Sequence, residues 1–83
     1  MPWLDCEVTA TGPREDGAVF IGLKAIDGSL DGGRWFKAFP GMQKEMLATA
    51  LCAMGTGMLV RAGLSDLTES SVIERLYILQ GGT

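Results

Sequence analysis

One helical segment interrupts a chain that is otherwise patterned as strands, and this switch constrains the fold more than any other feature. Within residues 42–54 the apolar side chains recur at helical spacing, and Ala, Leu and Met, which favour helices, dominate. A Pro-Gly pair precedes the segment, and Gly55 follows it where a left-handed glycine commonly ends a helix. The sequence predicts one helix at about residues 42–54, with Leu47 and Leu51 as its buried anchors.

Five segments around the helix carry strand patterns. The first alternates apolar and polar side chains, which indicates a half-buried strand. The second is apolar on both faces, and Gly22 at its centre predicts a bulge or a sharp bend. Gly-Pro and Asp-Gly pairs mark turns between the first three segments. The five segments are residues 4–11, 18–26, 34–39, 58–64 and 71–80.

The resulting order, β-β-β-α-β-β, predicts a mainly β protein folded as one domain over residues 1–83. Five short strands, which we expect to be antiparallel throughout, close into a small barrel and so remove the exposed edges of a sheet. A barrel of this size has an open apolar end. We expect the helix between the third and fourth strands to plug that end.

This arrangement resembles the oligonucleotide/oligosaccharide-binding (OB) fold over nearly the whole chain, with residues 42–54 in the place of the OB helix. The stretch "WFKAFPGMQKEMLATALCAMGTGMLVRAG" and the later "VIERLYIL" are also similar to a class of small, uncharacterised bacterial OB-like proteins. Those proteins share a Trp-Phe strand, a helix of the "MLATAL-AM-TG" type and a terminal Leu-Tyr strand. The resemblance implies a five-stranded OB-like barrel and includes no catalytic motif. Some members of that class look exported.

The ionisable residues and the thiols narrow the function classes. The net charge is −3, whereas nucleic-acid binders usually carry a basic footprint. Residues 17–44 hold four basic and two acidic side chains, a local balance of +2, which leaves −5 for the rest. Histidine is absent, which removes the commonest general base and metal ligand. Cys6 and Cys52 match no zinc spacing, so we expect two buried thiols, or a disulfide if the protein is exported.

Candidate binding residues cluster on the second and third predicted strands. In OB-type binders, aromatic side chains on these strands stack on bases or sugars, and basic side chains contact phosphates. In–out alternation lets only one of Trp35 and Phe36 face outward. The alternative is that these aromatic rings belong to the core and that the cations form a solvated surface. The candidate ligand-binding residues are Trp35, Lys24, Arg34, Lys37, Phe20 and Arg14, with the 65–71 loop at the rim.

Other residue groups carry little chemistry. Asp5 and Glu7 share one face of the first strand, but they lack a third ligand and a cleft, so we predict a solvated surface there. Gly55 and Gly57 follow the helix, whereas phosphate-binding loops precede a helix N-terminus. Cys52 lies toward the helix C-terminus, where the dipole disfavours a thiolate. We therefore expect no metal site, no cofactor and no catalysis.

Apolar side chains exceed what one small barrel can bury. The second, fourth and fifth strand segments carry apolar residues on both faces, and a barrel interior accepts only one face of each. Contiguous exposed apolar surface usually marks a partner site, and the commonest partner is a second copy related by a two-fold axis. We therefore expect a homodimer that uses outward-facing apolar residues of the second, fourth or fifth strand.

The sequence favours a non-catalytic binding or interaction module of unknown ligand that self-associates. The alternative is a single-stranded nucleic-acid-binding OB protein that uses its second and third strands, and the negative net charge disfavours it. No residue pattern indicates an enzyme. No run of residues is long and apolar enough to span a bilayer, and the first residues lack a signal-peptide pattern. A cytoplasmic location is expected, with export as the alternative.

Overall fold

The structure, a computed structural model, describes residues 3–30 and 33–79. Its elements in chain order are β1 (Trp3–Pro13), β2 (Val19–Ala25), β3 (Arg34–Ala38), α1 (Gln43–Thr56), β4 (Val60–Leu64) and β5 (Val72–Ile78). The predicted order β-β-β-α-β-β is confirmed. The predicted helix coincides with α1 to within two residues at each end.

The five strands form one closed barrel in the order β1-β2-β3-β5-β4. The long strand β1 pairs with β2 from Cys6 onward and with β4 through its first residues, so it contributes to two parts of the wall. The pairs β2–β3 and β4–β5 are also antiparallel. The predicted mainly β, five-stranded barrel with one helix is confirmed, and it is compatible with an OB-like fold.

One strand pair contradicts the prediction that all strands are antiparallel. β3 and β5 run parallel, and they pair only at Lys37–Val72 and Ala38–Ile73. The intervening helix and β4 form the long connection that parallel strands require. The barrel is therefore closed by a short contact, beyond which β3 and β5 no longer pair.

The inward-facing side chains of the strands fill the barrel. Ile21, Leu23, Phe36, Leu64 and Ile73 are fully buried. Along β2 and β3 the buried positions alternate with more exposed ones, except at Gly22, as a sheet with one face on a core requires. Burial of this apolar surface supplies the main driving force for folding.

The bulge predicted at Gly22 lies in the neighbouring strand. The register of β1 against β2 shifts between Val8 and Ala10, and Gly22 pairs with Ala10. A Cβ atom at Gly22 would lie 2.7 Å from Thr9 Oγ1. A side chain at position 22 would therefore have to displace the hydroxyl of Thr9, the bulged residue of β1.

The helix contacts the barrel through small side chains and one methionine. Met46, Ala50 and Ala53 are buried, at the i, i+4, i+7 spacing of one helical face. The prediction that Leu47 and Leu51 are buried anchors is wrong for Leu51, which is 53% exposed. Leu47 packs against the core but is only partly buried. The short alanine side chains allow a close approach to the barrel, which turns the neighbouring face with Leu51 toward solvent.

The end of the helix also differs from the prediction. Gly55 lies inside α1, and Gly57 is the residue that adopts the left-handed conformation, with φ of 72°. Its N–H donates to the carbonyl of Ala53, which satisfies one of the helix's last acceptors. The helix therefore extends two residues, about half a turn, beyond the predicted end before the chain enters β4.

The exposed apolar side chains are mostly not those predicted from the strand segments. Tyr77 of the fifth strand is exposed, but Phe20, Met58 and Leu59 are partly buried. Exposed Arg61 alternates with buried neighbours on β4, so that strand has no apolar outer face. In the described chain the exposed large apolar residues are Trp3, Ile26, Trp35, Phe39, Met42, Leu51, Met54 and Tyr77.

The two cysteines lie in different environments. Cys6 is buried in the barrel, and Cys52 is exposed on α1, so the prediction of two buried thiols is wrong for Cys52. Both are free thiols. Burial raises the pKa of the Cys6 thiol to about 12. In residues 3–30 and 33–79, no helix reaches the length and apolarity of a membrane span.

Candidate ligand-binding groove

The outer face of β2 and β3 presents aromatic and basic side chains. Alternation along β3 buries Phe36 completely and leaves Trp35 45% exposed. Pairing with β2 places Trp35 beside Gly22 and Lys37 beside Phe20. Because Gly22 has no side chain, its cross-strand position leaves the indole of Trp35 uncovered.

A groove of about 470 Å³ lies against this face, and we call it the Trp35 groove. Phe20 and Trp35 line it from the two strands. The end of β1 and the β1–β2 loop border one side, and the β4–β5 loop borders the other. Its lining residues are Thr11, Gly12, Pro13, Arg14, Phe20, Trp35, Glu69 and Ser70.

Arg14 covers one of the two aromatic rings in the groove. Its guanidinium carbon lies 4.8 Å from the ring centroid of Phe20, in cation–π geometry. Arg14 also forms an ion pair with Asp16, and Asp16 Oδ1 accepts a hydrogen bond from the Ala18 N–H at 3.1 Å. The Ala18 N–H and then Arg14 lower the pKa of Asp16. The β1–β2 loop therefore holds Arg14 over Phe20 and balances its charge.

The β4–β5 loop is fastened to the free side of β3. The Trp35 N–H donates to Glu69 Oε1 at 2.8 Å, and the Ser70 N–H donates to the Trp35 carbonyl at 2.8 Å. Arg34 Nη1 donates to the Leu67 carbonyl at 2.6 Å. Ser70 has φ of 65°, a left-handed conformation that is uncommon for a residue with a Cβ atom. These bonds replace the strand pairing that β5 does not provide here, and they fix Glu69 at the groove.

A smaller depression lies on the other side of Trp35. It has a volume of about 210 Å³ and is lined by Trp35, Gly22, Thr9, Gly33 and Arg34. The indole therefore stands between two concave surfaces, and a ligand on either side can contact it.

The structure brings together half of the six predicted site residues. Trp35, Phe20 and Arg14 line the Trp35 groove. Arg34 lines only the smaller depression, and its guanidinium also ties the β4–β5 loop.

The two predicted lysines lie beside the groove and do not line it. Lys37 lies across from Phe20, and exposed Lys24 lies across from Glu7 of β1. The sequence analysis placed the 65–71 loop at the rim but missed Glu69 as a groove residue. Its only signal was its position in that loop, because the contact with Trp35 spans 34 positions.

The acidic residues of β1 are engaged elsewhere or solvated. Asp5 accepts hydrogen bonds from Arg61, at 2.8 Å from Nε and 3.4 Å from Nη2. This pairing lowers the pKa of Asp5 and raises that of Arg61. Within the ranges that the structure describes, no three Cys, Asp or Glu residues are grouped as metal ligands.

The Trp35 groove combines an indole, a guanidinium, a carboxylate and hydroxyl groups, which are binding groups for a polar ligand with a flat face. No protein-family model matches the chain, and neither curated proteins nor solved structures show a significant similarity to it.

Proposed function

We propose that this protein is a non-catalytic binding module whose ligand lies in the Trp35 groove. The observation that carries the proposal is an exposed indole in a groove bounded by the β1–β2 and β4–β5 loops. In OB folds the corresponding strands and loops form the ligand-binding face. The strand order supports assignment to that fold, and the sequence resemblance supports kinship with the small bacterial OB-like proteins.

The groove suits a neutral or cationic ligand that has a flat apolar face. Trp35 offers a stacking surface, whereas Phe20 is already covered by Arg14. Glu69 uses Oε1 to accept the bond from Trp35, which leaves Oε2 to accept a bond from a ligand. Arg14 is paired with Asp16, which lowers the attraction of the groove for anions, and Glu69 adds a carboxylate to the groove lining.

Single-stranded nucleic acid is the second candidate ligand. The exposed Trp35 with Lys24 and Lys37 on the same outer face favours it, because stacking and phosphate contacts are the usual means of such binding. The ion pair of Arg14 with Asp16 and the position of Glu69 disfavour it, because both reduce the attraction for phosphates. We therefore rank nucleic acid below a neutral or cationic ligand.

We also propose that the protein self-associates as a homodimer. Its proposed location is the cytoplasm, with export as the alternative. Several exposed large apolar side chains support self-association. Trp3 and Tyr77 stack on the outside of the barrel, with ring centroids 6.1 Å apart, and Phe39 and Met42 are exposed near α1. Large exposed apolar residues that lie near one another commonly mark a protein interface.

Fluorescence of single-tryptophan variants tests ligand binding in the groove. The chain has two tryptophans with the same exposed fraction, so Trp3→Phe leaves Trp35 as the only reporter and Trp35→Phe leaves Trp3 as its matched control. The probes are uncharged oligosaccharides, peptides that contain lysine and aromatic residues, and single-stranded oligonucleotides. We expect a saturable change with a neutral or cationic probe in Trp3→Phe alone. Equal changes in both variants, or none with any probe, would contradict the proposal.

A further inference from the structure

β5 has one edge without a neighbouring strand for most of its length. On one side it pairs with β4 from Ile78 back to Ile73. On the other side β3 pairs with it only as far as Ile73. Beyond that residue the described ranges place no strand beside it, so residues 74–78 form an open edge in the barrel wall.

The pairing with β4 shows which backbone groups lie on the open edge. The Leu79 N–H donates to the Leu59 carbonyl at 2.9 Å, and in an antiparallel pair every second residue bonds to the same neighbour. Tyr77 therefore directs its N–H and C=O groups toward β4. Leu76 and Ile78 direct theirs toward the open edge. Such unpaired donors and acceptors are a template for another strand.

A groove of about 340 Å³ lies beside this edge, between β5 and α1. Its opposite wall contains Phe39 and Met42, which are both exposed large apolar residues. The Phe39 N–H donates to Met46 Sδ at 3.3 Å instead of to β5, so the chain has left the sheet at this point. An incoming strand would find these apolar side chains, together with the charged side chains of Glu45, Glu74 and Arg75, beside unpaired backbone groups.

We propose that this edge pairs with β5 of a second copy, antiparallel about a two-fold axis; the inference rests on the proposed self-association. A two-fold axis brings the same edge from each copy together, so both sets of donors and acceptors find partners at once. With the axis at Leu76, this residue pairs with its own counterpart. Ile78 then lies across from Glu74 of the second copy, where the register of β5 against β4 shifts, so the regular alternation covers residues 75–78.

The side chains select this register over its neighbours. With the axis at Leu76, Arg75 lies opposite Tyr77 of the second copy, in the type of pair whose side chains approach most closely. A guanidinium on a tyrosine ring is attractive, and symmetry produces the contact twice. An axis at Arg75 would set two like charges opposite each other, and an axis at Tyr77 would shorten the paired edge.

Hydrogen exchange of the unaltered protein tests the pairing directly. Amide exchange is followed by NMR at low and at high micromolar protein concentration, and sedimentation equilibrium reports the mass. We expect a dimer at the higher concentration, with exchange at Leu76 and Ile78 slowed about tenfold or more. The Tyr77 N–H bonds to β4 and is the internal control, because we expect it to be protected at both concentrations.

A charge-reversal pair tests the register. Tyr77→Lys places lysine opposite Arg75 of the second copy at two symmetric positions, so we expect the dimer dissociation constant to rise about tenfold or more. Adding Arg75→Glu sets opposite charges against each other and should restore the dimer. The restored double variant also shows that Tyr77→Lys has not simply unfolded the chain. Leu51→Lys, on an exposed part of α1 outside this groove, is the matched control and should leave the dimer unchanged.

Each contrary outcome has a distinct meaning. A dimer that persists in Tyr77→Lys, or whose Leu76 and Ile78 amides still exchange as in the monomer, overturns the β5 pairing but not self-association. A wild-type protein that remains monomeric at high micromolar concentration overturns both, and it leaves ligand binding in the Trp35 groove unaffected. Protection of these amides only after an extended apolar peptide is added would assign the edge to a foreign strand and overturn pairing with a second copy.

Discussion

At the scale of single residues, Glu69 has two roles that can be separated. Its Oε1 accepts the hydrogen bond from the Trp35 N–H, and its negative charge lies at the groove. The first role fastens the β4–β5 loop to β3 where β5 does not pair. The second role sets the charge that a ligand meets. A glutamine keeps an acceptor and loses the charge, whereas an alanine loses both.

Glu69→Ala should therefore lower the free energy of unfolding by about 1 kcal/mol, because the Trp35 N–H loses its partner in a partly exposed setting. Glu69→Gln should stay within about 0.5 kcal/mol of wild type, because its side-chain oxygen still accepts that bond. Urea denaturation measures both values. Equal losses in the two variants would show that the charge, and not the hydrogen bond, stabilises the loop.

The two thiols should differ sharply in reactivity. Cys52 is exposed, whereas Cys6 is buried and its pKa is raised to about 12, so little thiolate forms there at neutral pH. We expect iodoacetamide at pH 8 to add one label per folded chain, at Cys52, and two labels in denaturant, as read by mass spectrometry. Cys52→Ser should give none while folded, and labelling of that variant at the wild-type rate would contradict the burial of Cys6.

The same raised pKa predicts a direction for stability at alkaline pH. The unfolded chain releases the Cys6 proton near pH 8.5, whereas the folded chain keeps it until the pH approaches about 12. Stability from this group is therefore fully present below about pH 8 and is lost progressively as the pH rises toward 12. Cys6→Ala should flatten this decline in melting curves recorded between neutral and alkaline pH, and an unchanged slope would contradict the assignment.

At the scale of elements, periodicity predicted what repeats locally and failed where distant segments meet. The strand segments and the helix follow from alternation and helical spacing, and alternation also predicts that only one of Trp35 and Phe36 faces outward; the structure shows that it is Trp35. The parallel contact of β3 with β5 does not follow from those patterns, because it depends on how α1 and β4 return the chain. The buried face of α1 was misplaced toward Leu51 because Met46 and two alanines form the face against the barrel, where Leu47 packs only in part. Glu69 was missed because its contact with Trp35 spans 34 positions and forms only when the β4–β5 loop folds against β3.

The helix face predicts opposite results for two neighbouring substitutions. Met46→Ala removes a buried side chain beneath α1 and should cost about 2–5 kcal/mol of unfolding free energy, because lost transfer energy and a cavity add together. Leu51→Ala removes a side chain that is 53% exposed and should cost about 0.5 kcal/mol or less. Thermal and urea denaturation of Met46→Ala and Leu51→Ala measures the two losses in unfolding free energy. A larger loss in Leu51→Ala than in Met46→Ala would mean that α1 is rotated relative to the described face.

At the scale of the whole molecule, the basic residues are divided between the sheet and the helix. The chain carries −3 overall, and of the four basic residues in 17–44, Lys24, Arg34 and Lys37 lie on β2 and β3 and Lys44 lies on α1. Arg34 bonds to the Leu67 carbonyl, Lys24 lies across from Glu7, and Lys44 lies on the helix. A polyanion would therefore meet few unopposed cations when it approaches Trp35.

Mixed-sequence single-stranded DNA and RNA should accordingly bind no more tightly than about 10 μM near physiological salt. Three or four phosphate contacts would give a salt slope of only about 2–3, at about 0.7 per contact for a single strand. The measurement is a fluorescence titration of Trp3→Phe at low salt, with Trp35→Phe as the control, followed by added salt. Saturable quenching that occurs in Trp3→Phe, is absent from Trp35→Phe and weakens with added salt would instead make single-stranded nucleic acid the leading ligand. Glu69→Gln should tighten any such binding, because it removes the carboxylate that a phosphate meets in the groove.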